Sequence, residues 1–240
     1  METAVEELRE RLRDEGVVRL RSLFRRESLT RLRDAASRCF EAIEAGAPTP
    51  ENYRFIPQAH SVLLKALLDF GMENEKELLA PLSAACLNEM FSDLIGGPWR
   101  CRREHSWVRK KFAPGNVPKA GYALQDWHQD GALGVRFPSQ PGPVIPATNL
   151  ATCWIPLGAC GRESPGLEFI RKPQPSLLHF TELRDATLRK RFEAAAFWAP
   201  ELEFGDGLLF RNDVLHRSHV TEEMRSDRMS VEYRIFPEAS

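Results

Sequence analysis

With 240 residues, the chain can bury a sizeable core without disulfide staples, as one large domain or two small ones. Lys and Arg number 33 against 34 Asp and Glu, a balance that argues against a nucleic-acid or anionic-membrane partner. The first fifteen residues are charged, no apolar run approaches a membrane span, and the five cysteines (Cys39, Cys86, Cys101, Cys153, Cys160) form no Cys-x-x-Cys pair. A soluble cytoplasmic protein with reduced thiols is expected, with neither a secretory leader nor a zinc ribbon.

The amino-terminal third is patterned for helices. Val5, Leu8 and Leu12 share one face of a first helix, which Gly16 stops. Val17-Val18-Arg19-Leu20 is a short strand candidate. Leu29, Leu32, Ala36, Cys39, Phe40 and Ile43 then recur at helical spacing up to Gly46. Ala47 to Pro57 holds three prolines and is expected to be a loop. A third helix is expected from His60 to Phe70, and a fourth opening near Pro81, with Leu82, Cys86, Met90 and Leu94 following at steps of four. The arginines of the first forty residues are interleaved with acids, so a solvated helix face is expected rather than a basic arm.

After Gly96-Gly97-Pro98 the texture changes to short β-branched and aromatic runs between glycines and prolines. Strands are expected at Ser106–Ala113, Tyr122–Asp130, Ala147–Leu157, Gly166–Ile170, Glu201–Phe204, Leu208–Arg211 and Met229–Phe236, with a mostly helical excursion over Leu177–Phe197. Gly131 to Pro146 carries four prolines and three glycines and is a candidate wall or lid of an active site. Helices ahead of many short strands give a β-rich α+β fold, with the helices packed on the outer face of one sheet. Residues 1–240 are expected to form a single domain, with 1–98 mostly helical and 105–237 the β core.

The chemistry centres on Trp127-His128-Gln129-Asp130. Residues two apart on an extended segment point to the same side, ~7 Å apart along it. If that side faces a barrel interior, His128 and Asp130 supply two of the three ligands of a facial metal site, and one more histidine from a neighbouring strand completes it. His216 is the candidate and His219 the rival. Two imidazoles and a carboxylate on one face of an iron ion leave three positions open for a cosubstrate and oxygen. The bland alternatives are a solvated turn for His128-x-Asp130 and a hydrogen-bonded core histidine for His216. His60, His105 and His179 have no ligand-like spacing.

A chelating dicarboxylate would leave its far carboxylate buried and in need of a fixed cation, best supplied by the bidentate fork of arginine. Arg228 is the candidate, with Ser230 on the same strand face. Arg225 and Arg234 are alternatives, and Arg234, six residues beyond Arg228, is expected to lie too far from the metal. On the first barrel strand, Lys110 points opposite to Arg109 and Lys111. Either some of these cations face the cavity and favour an anionic substrate, or all three are solvated at a sheet edge.

His128-x-Asp130, Gly205-Asp206-Gly207-Leu208-Leu209-Phe210, His216-Arg217-Ser218 and Arg228, in that order, resemble the phytanoyl-CoA dioxygenase family of Fe(II)- and 2-oxoglutarate-dependent oxygenases. Asp14 to Leu20 is similar to that family's opening, and Thr152-Cys153-Trp154-Ile155-Pro156-Leu157 resembles its mid-barrel strand. The likeness spans almost the whole chain. It implies a double-stranded β-helix, a jelly-roll or cupin-like barrel, in which His128, Asp130 and His216 bind Fe(II), Arg228 binds 2-oxoglutarate and Trp154 lines the cosubstrate pocket. The reaction implied is hydroxylation, or a related oxidation, of a C–H bond in a small organic substrate, with O2 consumed and succinate and CO2 released. Where the family often has a Pro-Gly-Ser-His turn, this chain reads Arg171-Lys172-Pro173-Gln174, which touches substrate contacts rather than metal binding. Halogenating relatives replace the carboxylate with a small residue, so Asp130 implies hydroxylation or a related oxidation. A cupin-like metal enzyme without a 2-oxo acid, or a non-catalytic barrel that binds a ligand, are the competing readings. Oligomeric state is not legible.

Overall fold

The computed structural model describes residues 2–46, 54–118, 121–142 and 144–238. Helix α1 (Glu2–Glu15) ends at Gly16, whose φ of 75° turns the chain into strand β1 (Val17–Leu20). Only glycine fits there: a Cβ would sit 2.9 Å from Pro173 and 3.0 Å from Val214. Helix α2 (Arg26–Glu44) buries Leu29, Leu32, Ala35, Ala36, Cys39 and Phe40 on one face.

The helix expected from His60 to Phe70 does not form. His60 takes a left-handed φ of 45°, which blocks a helical start, and Ser61–Leu63 becomes strand β2, followed by 3-10 turns over Leu64–Phe70. Next come a single turn, α3 (Glu75–Leu78), and the longer α4 (Ala85–Ile95). Pro81 lies in a 3-10 turn ahead of α4, so the expected start is four residues early, and the buried face is Leu87, Met90, Phe91 and Ile95. Of the expected loop at Ala47 to Pro57, residues 47–53 lie outside the described residues.

Strands β3 (Trp99–Cys101), β4 (Trp107–Lys111), β5 (Ala151–Pro156) and β6 (Gly166–Ile170) follow. The Leu177–Phe197 excursion is helical only over α5 (Asp185–Arg191) and two single 3-10 turns, and it ends in β7 (Phe197–Trp198). Strands β8 (Gly207–Arg211), β9 (Leu215–His219) and β10 (Arg228–Pro237) close the fold. The expected strands at Tyr122–Asp130 and Glu201–Phe204 are reduced to isolated bridges, His128 with His216, Leu202 with Cys160 and Phe204 with Asp206.

The larger sheet runs β1-β8-β5-β10-β4-β2, with β3 also on β10, and the smaller runs β7-β6-β9; every strand pair is antiparallel. Strand alternation divides the larger sheet into two faces. Cys153, Ile155, Leu209, Val231, Tyr233 and Ile235 point outward and pack with α2 and α4 into the main core. Each fully buried Leu or Phe there contributes on the order of 1.5–3 kcal/mol over leaving it exposed. The opposite face joins Trp154, Leu208 and Phe210 to Leu167 and Phe169 of the smaller sheet, so the sheets face each other as the halves of a double-stranded β-helix. This is the expected fold class.

Arginines of the first helices pair on the surface with Glu and Asp, as Arg9 does with Glu89 and Asp93. All five cysteines are free thiols, and burial pushes Cys39 up to about 12, which leaves it unreactive. No helix among the described residues is long and apolar enough to cross a membrane.

Candidate functional site

The segment from Tyr122 to Asp130 is extended but has no single strand partner. It is pinned piecewise, by Ala123 N–H to Gln58 O, Ser218 N–H to Gln125 O, and a reciprocal pair of 3.0 Å bonds between the backbones of His128 and His216. That last pair sets the two imidazoles side by side, with ring centroids 4.2 Å apart. Each ring is held by its other nitrogen: His128 Nδ1 lies 2.7 Å from Asp126 O and His216 Nδ1 lies 3.2 Å from Val214 O. With Nδ1–H donated to a carbonyl, the Nε2 lone pair of each ring is directed to the shared space between them.

Asp130 completes the group. Its Oδ1 lies 3.9 Å from His128 Nε2 and 3.8 Å from His216 Nε2. One ligand atom from each of the three residues falls within 4.8 Å of the others, a spacing that one divalent ion can span. Among the described residues this is the one His/Cys/Asp/Glu group so arranged. His219, three residues beyond His216, has the opposite strand parity and is not part of it.

Electrostatics favour the metal-binding protonation states. Burial, and then the neighbouring His128, push His216 down to about 3, and burial likewise lowers His128, so both rings are neutral at pH 7. Burial alone would raise the Asp130 carboxyl, but Arg234 first, then His216 and His128, hold it well below the usual carboxylate range. His216 packs against Phe169 and Phe210 in the interior, whereas the His128 side chain is 29% exposed, so the group opens to solvent past His128.

Local packing explains the residues between and after the ligands. Gln129 points the other way and is buried; its amide donates to Asp213 O at 2.9 Å and its Oε1 accepts from Leu178 N–H at 2.7 Å. Gly131 follows because a Cβ there would lie 2.6 Å from Ala147 Cβ and 2.9 Å from Asn212 O. The 131–146 loop, of which residue 143 lies outside the described residues, is tied to the 177–180 segment. The ties are the Ile145–Leu177 bridge and a 3.1 Å contact of His179 Nε2 with Pro138 O.

Strand β10 sends Arg228, Ser230, Glu232 and Arg234 into the barrel. Arg228 Nε donates to Pro165 O at 2.9 Å, Nη1 bonds Ser230 Oγ, and the guanidinium lies 4.8 Å over the Trp154 ring. Among the described residues no carboxylate pairs with it, although it is only 3% exposed. Arg225 is instead exposed in the preceding turn. Arg234 overturns its sequence expectation: its Nη1 contacts Asp130 Oδ2, so it reaches the ligand group that Arg228 does not touch. The expectation takes Arg228 as the end of the strand near the metal, but the register sets Arg234 directly opposite Thr152, whose hydroxyl donates to Asp130, so the ligand group lies at the Arg234 end of β10. Lys110 points outward to Glu44 at 2.6 Å, while Arg109 and Lys111 point inward, as their parity requires.

The interior has a surplus of donors. Trp154 Nε1 and Ser218 Oγ are buried with no hydrogen-bond partner. Lys111, opposite Arg228 in the β4–β10 register, makes one hydrogen bond among the described residues, 3.2 Å to Ala59 O. Burial, then Arg109 and Arg228, push its ammonium down to about 7. The unsatisfied Trp154 donor beside a buried guanidinium with no carboxylate fits a buried anion as the missing partner. Sequence parity puts Ser218 on the face of His216 without giving it a role, and leaves Lys111 open between cavity and solvent; the structure buries both.

Several solved structures share this fold over nearly the whole chain. AviO1 from Streptomyces viridochromogenes Tue57 matches with a TM-score of 0.66 and 17% identity, covering 98% of this chain and 96% of its own. EctD from S. alaskensis, crystallised with 2-oxoglutarate and 5-hydroxyectoine, gives a TM-score of 0.70 at 16% identity over 97% and 76%. The non-heme alpha ketoglutarate dependent carbocyclase SnoK of nogalamycin biosynthesis gives 0.61 at 18% over 97% and 83%. No curated protein matches the sequence. The sequence profile of phytanoyl-CoA dioxygenase (PhyH), however, matches residues 12–226, and the chain belongs to that family.

Proposed function

We propose that this chain is a non-heme Fe(II)- and 2-oxoglutarate-dependent oxygenase that hydroxylates a C–H bond of a small organic substrate. The observation that carries the reading is one barrel holding two complementary features. A His128–Asp130–His216 group has its ligand atoms within 4.8 Å, and a buried Arg228 has no carboxylate of its own. EctD bound to iron and SnoN bound to Fe3+ and alpha ketoglutarate, both sharing the fold, support the same choice of metal and cosubstrate.

In this reading His128, Asp130 and His216 would hold Fe(II). Arg228 receives the far carboxylate of 2-oxoglutarate, Ser230 orients the guanidinium, and Trp154 Nε1, Ser218 Oγ and Lys111 supply further donors. The bound metal and 2-oxo acid supply oxygen activation, with succinate and CO2 released. The residues' own part is geometric: Phe169 and Phe210 exclude water behind His216, and the exposed edge of His128 leaves the side from which substrate arrives. Asp130 occupies the position that halogenation would need vacant, which disfavours halogenation. Arg109 is spent on Glu232, and Lys111 stands beside Arg228, so the β4 cations lend no support to an anionic substrate.

The test is anaerobic addition of Fe(II) and then 2-oxoglutarate to the purified chain. A weak visible charge-transfer band is expected, absent in His128→Ala, and admission of oxygen should yield succinate. A folded protein that shows no band with both additions would overturn the proposal in favour of a metal enzyme independent of 2-oxo acids, or a ligand-binding barrel.

A further inference from the structure

A second arginine is built into the ligand group itself. Asp130 offers two oxygens, and they face different surroundings. Oδ1 looks toward both imidazoles. Oδ2 is saturated: it accepts from Thr152 Oγ1 at 2.6 Å and from Arg234 Nη1, which also contacts Thr152 Oγ1. Arg234 is fixed from behind. Its Nη2 lies 3.2 Å from Glu232 Oε2, and the other oxygen of Glu232 takes Arg109 Nε at 2.6 Å. Arg109 is anchored in turn by Nη1 to Ser61 Oγ at 2.9 Å, and Ser61 Oγ donates to Ala59 O at 2.9 Å. Every member is buried, from 0% exposed for Ser61 and Thr152 to 8% for Arg234.

We propose that Arg234, held in place by Glu232 and Arg109, is a positioning residue that occupies one oxygen of Asp130 and so restricts it to single-oxygen ligation. This rests on the metal-binding reading above and adds to it a residue outside the three-ligand group. The physical reason is that a carboxylate beside a divalent ion can bind through one oxygen or two, and two would use up a position needed by cosubstrate or oxygen. Hydrogen bonds that saturate Oδ2 make the second mode costly, because Thr152 and Arg234 would each lose a buried partner. Glu232 has a separate task. It balances Arg109, so the chain does not place an uncompensated pair of guanidinium charges behind a cation site.

The probe is Co(II) under anaerobic conditions, read by its affinity and by its visible spectrum, which responds to coordination number. Arg234→Gln removes the fork and leaves the Arg109–Glu232 pair intact. The expected result is Co(II) affinity lower by about 10- to 100-fold, the size typical of a lost hydrogen-bonding partner behind a metal ligand, with an altered visible spectrum. Thr152→Val removes only the hydroxyl donor and is nearly isosteric, so it carries the test should Arg234→Gln fail to fold. It should shift the same spectrum in the same direction by a smaller amount. A role confined to packing would lower melting temperature in both variants but leave the affinity and spectrum of the folded protein as in the wild type, and that result overturns the proposal. Wild-type chain that binds no Co(II) would instead overturn the metal-binding reading on which it rests.

Discussion

Arg228 and Arg234 lie six residues apart on the same face of β10, both buried, and their surroundings are opposite. Arg234 is completed by the protein, with Asp130 on one side and Glu232 on the other. Arg228 has a carbonyl, a hydroxyl and an aromatic face, but no acid among the described residues, and its neighbour in register is another cation, Lys111. A buried charge is stable only when something pairs with it. The difference therefore separates a structural cation, whose partner is in the sequence, from a receptor cation, whose partner must come from solution.

The strongest way to break the contrast is at its paired end. Asp130→Ala removes a proposed metal ligand and strips Arg234 of one of its two acids. Anaerobic Fe(II) titration should show affinity reduced by at least about 100-fold, beyond the range for a residue that only supports a ligand. Retained binding would mean that His128 and His216 suffice without the carboxylate.

Next comes the unpaired end. Arg228→Gln should leave Fe(II) affinity unchanged while weakening 2-oxoglutarate about 30-fold or more, the cost of losing a buried, charge-assisted partner. The readout is the 2-oxoglutarate dependence of the visible band. An unchanged dependence would reassign the cosubstrate site. It would also favour a metal enzyme that uses no 2-oxo acid. Trp154→Phe is a finer cut, deleting one buried donor and keeping the ring under the guanidinium. A single hydrogen bond to a charged group is worth about 1.5–3 kcal/mol, so a weakening of at least roughly tenfold is expected in the same titration.

How much of this was visible beforehand follows from side-chain periodicity. That His128 and Asp130 share a face, that His216 and His219 do not, and that Lys110 points opposite to Arg109 and Lys111 all follow from the two-residue repeat of extended chain; which of those faces turns inward does not. The double-stranded β-helix was legible through the ordered motifs. Two things were not. Pairing depends on residues far along the chain, so the stretch before Asp130 looked like a strand and is instead pinned by Gln58, Ser218 and His216 in turn. The position of the ligand group along β10 likewise depends on register. Pairing sets Arg234 opposite Thr152 and so beside Asp130, which its distance from Arg228 along the strand does not reveal, and the acid that holds it, Glu232, has no sequence signature marking it as buried.

Lys111 gives the smallest effect and the most discriminating one, because it is the one member of the receptor end whose charge can be titrated near neutrality. Its ammonium falls from an ordinary 10.5 to about 7 through burial, with Arg109 and Arg228 adding repulsion. Below pH 7 the folded and unfolded chains both carry the proton, and the folded state bears the whole cost of the buried charge. Between about 7 and 10.5 the unfolded chain holds more protons than the folded one, so stability rises with pH until the handicap is gone. Lys111→Met removes that handicap. Without metal or cosubstrate, it should melt at a higher temperature than the wild type at pH 6, and the gap should shrink toward pH 9. Cosubstrate reverses the sign, since an incoming carboxylate favours the charged ammonium. Wild-type affinity for 2-oxoglutarate should therefore fall several-fold as pH rises past 7, with proton uptake on binding, while the Met variant should bind more weakly and with a flatter profile. A melting gap that stays constant from pH 6 to 9 would show that Lys111 is already paired, and would remove it from the receptor end of the barrel.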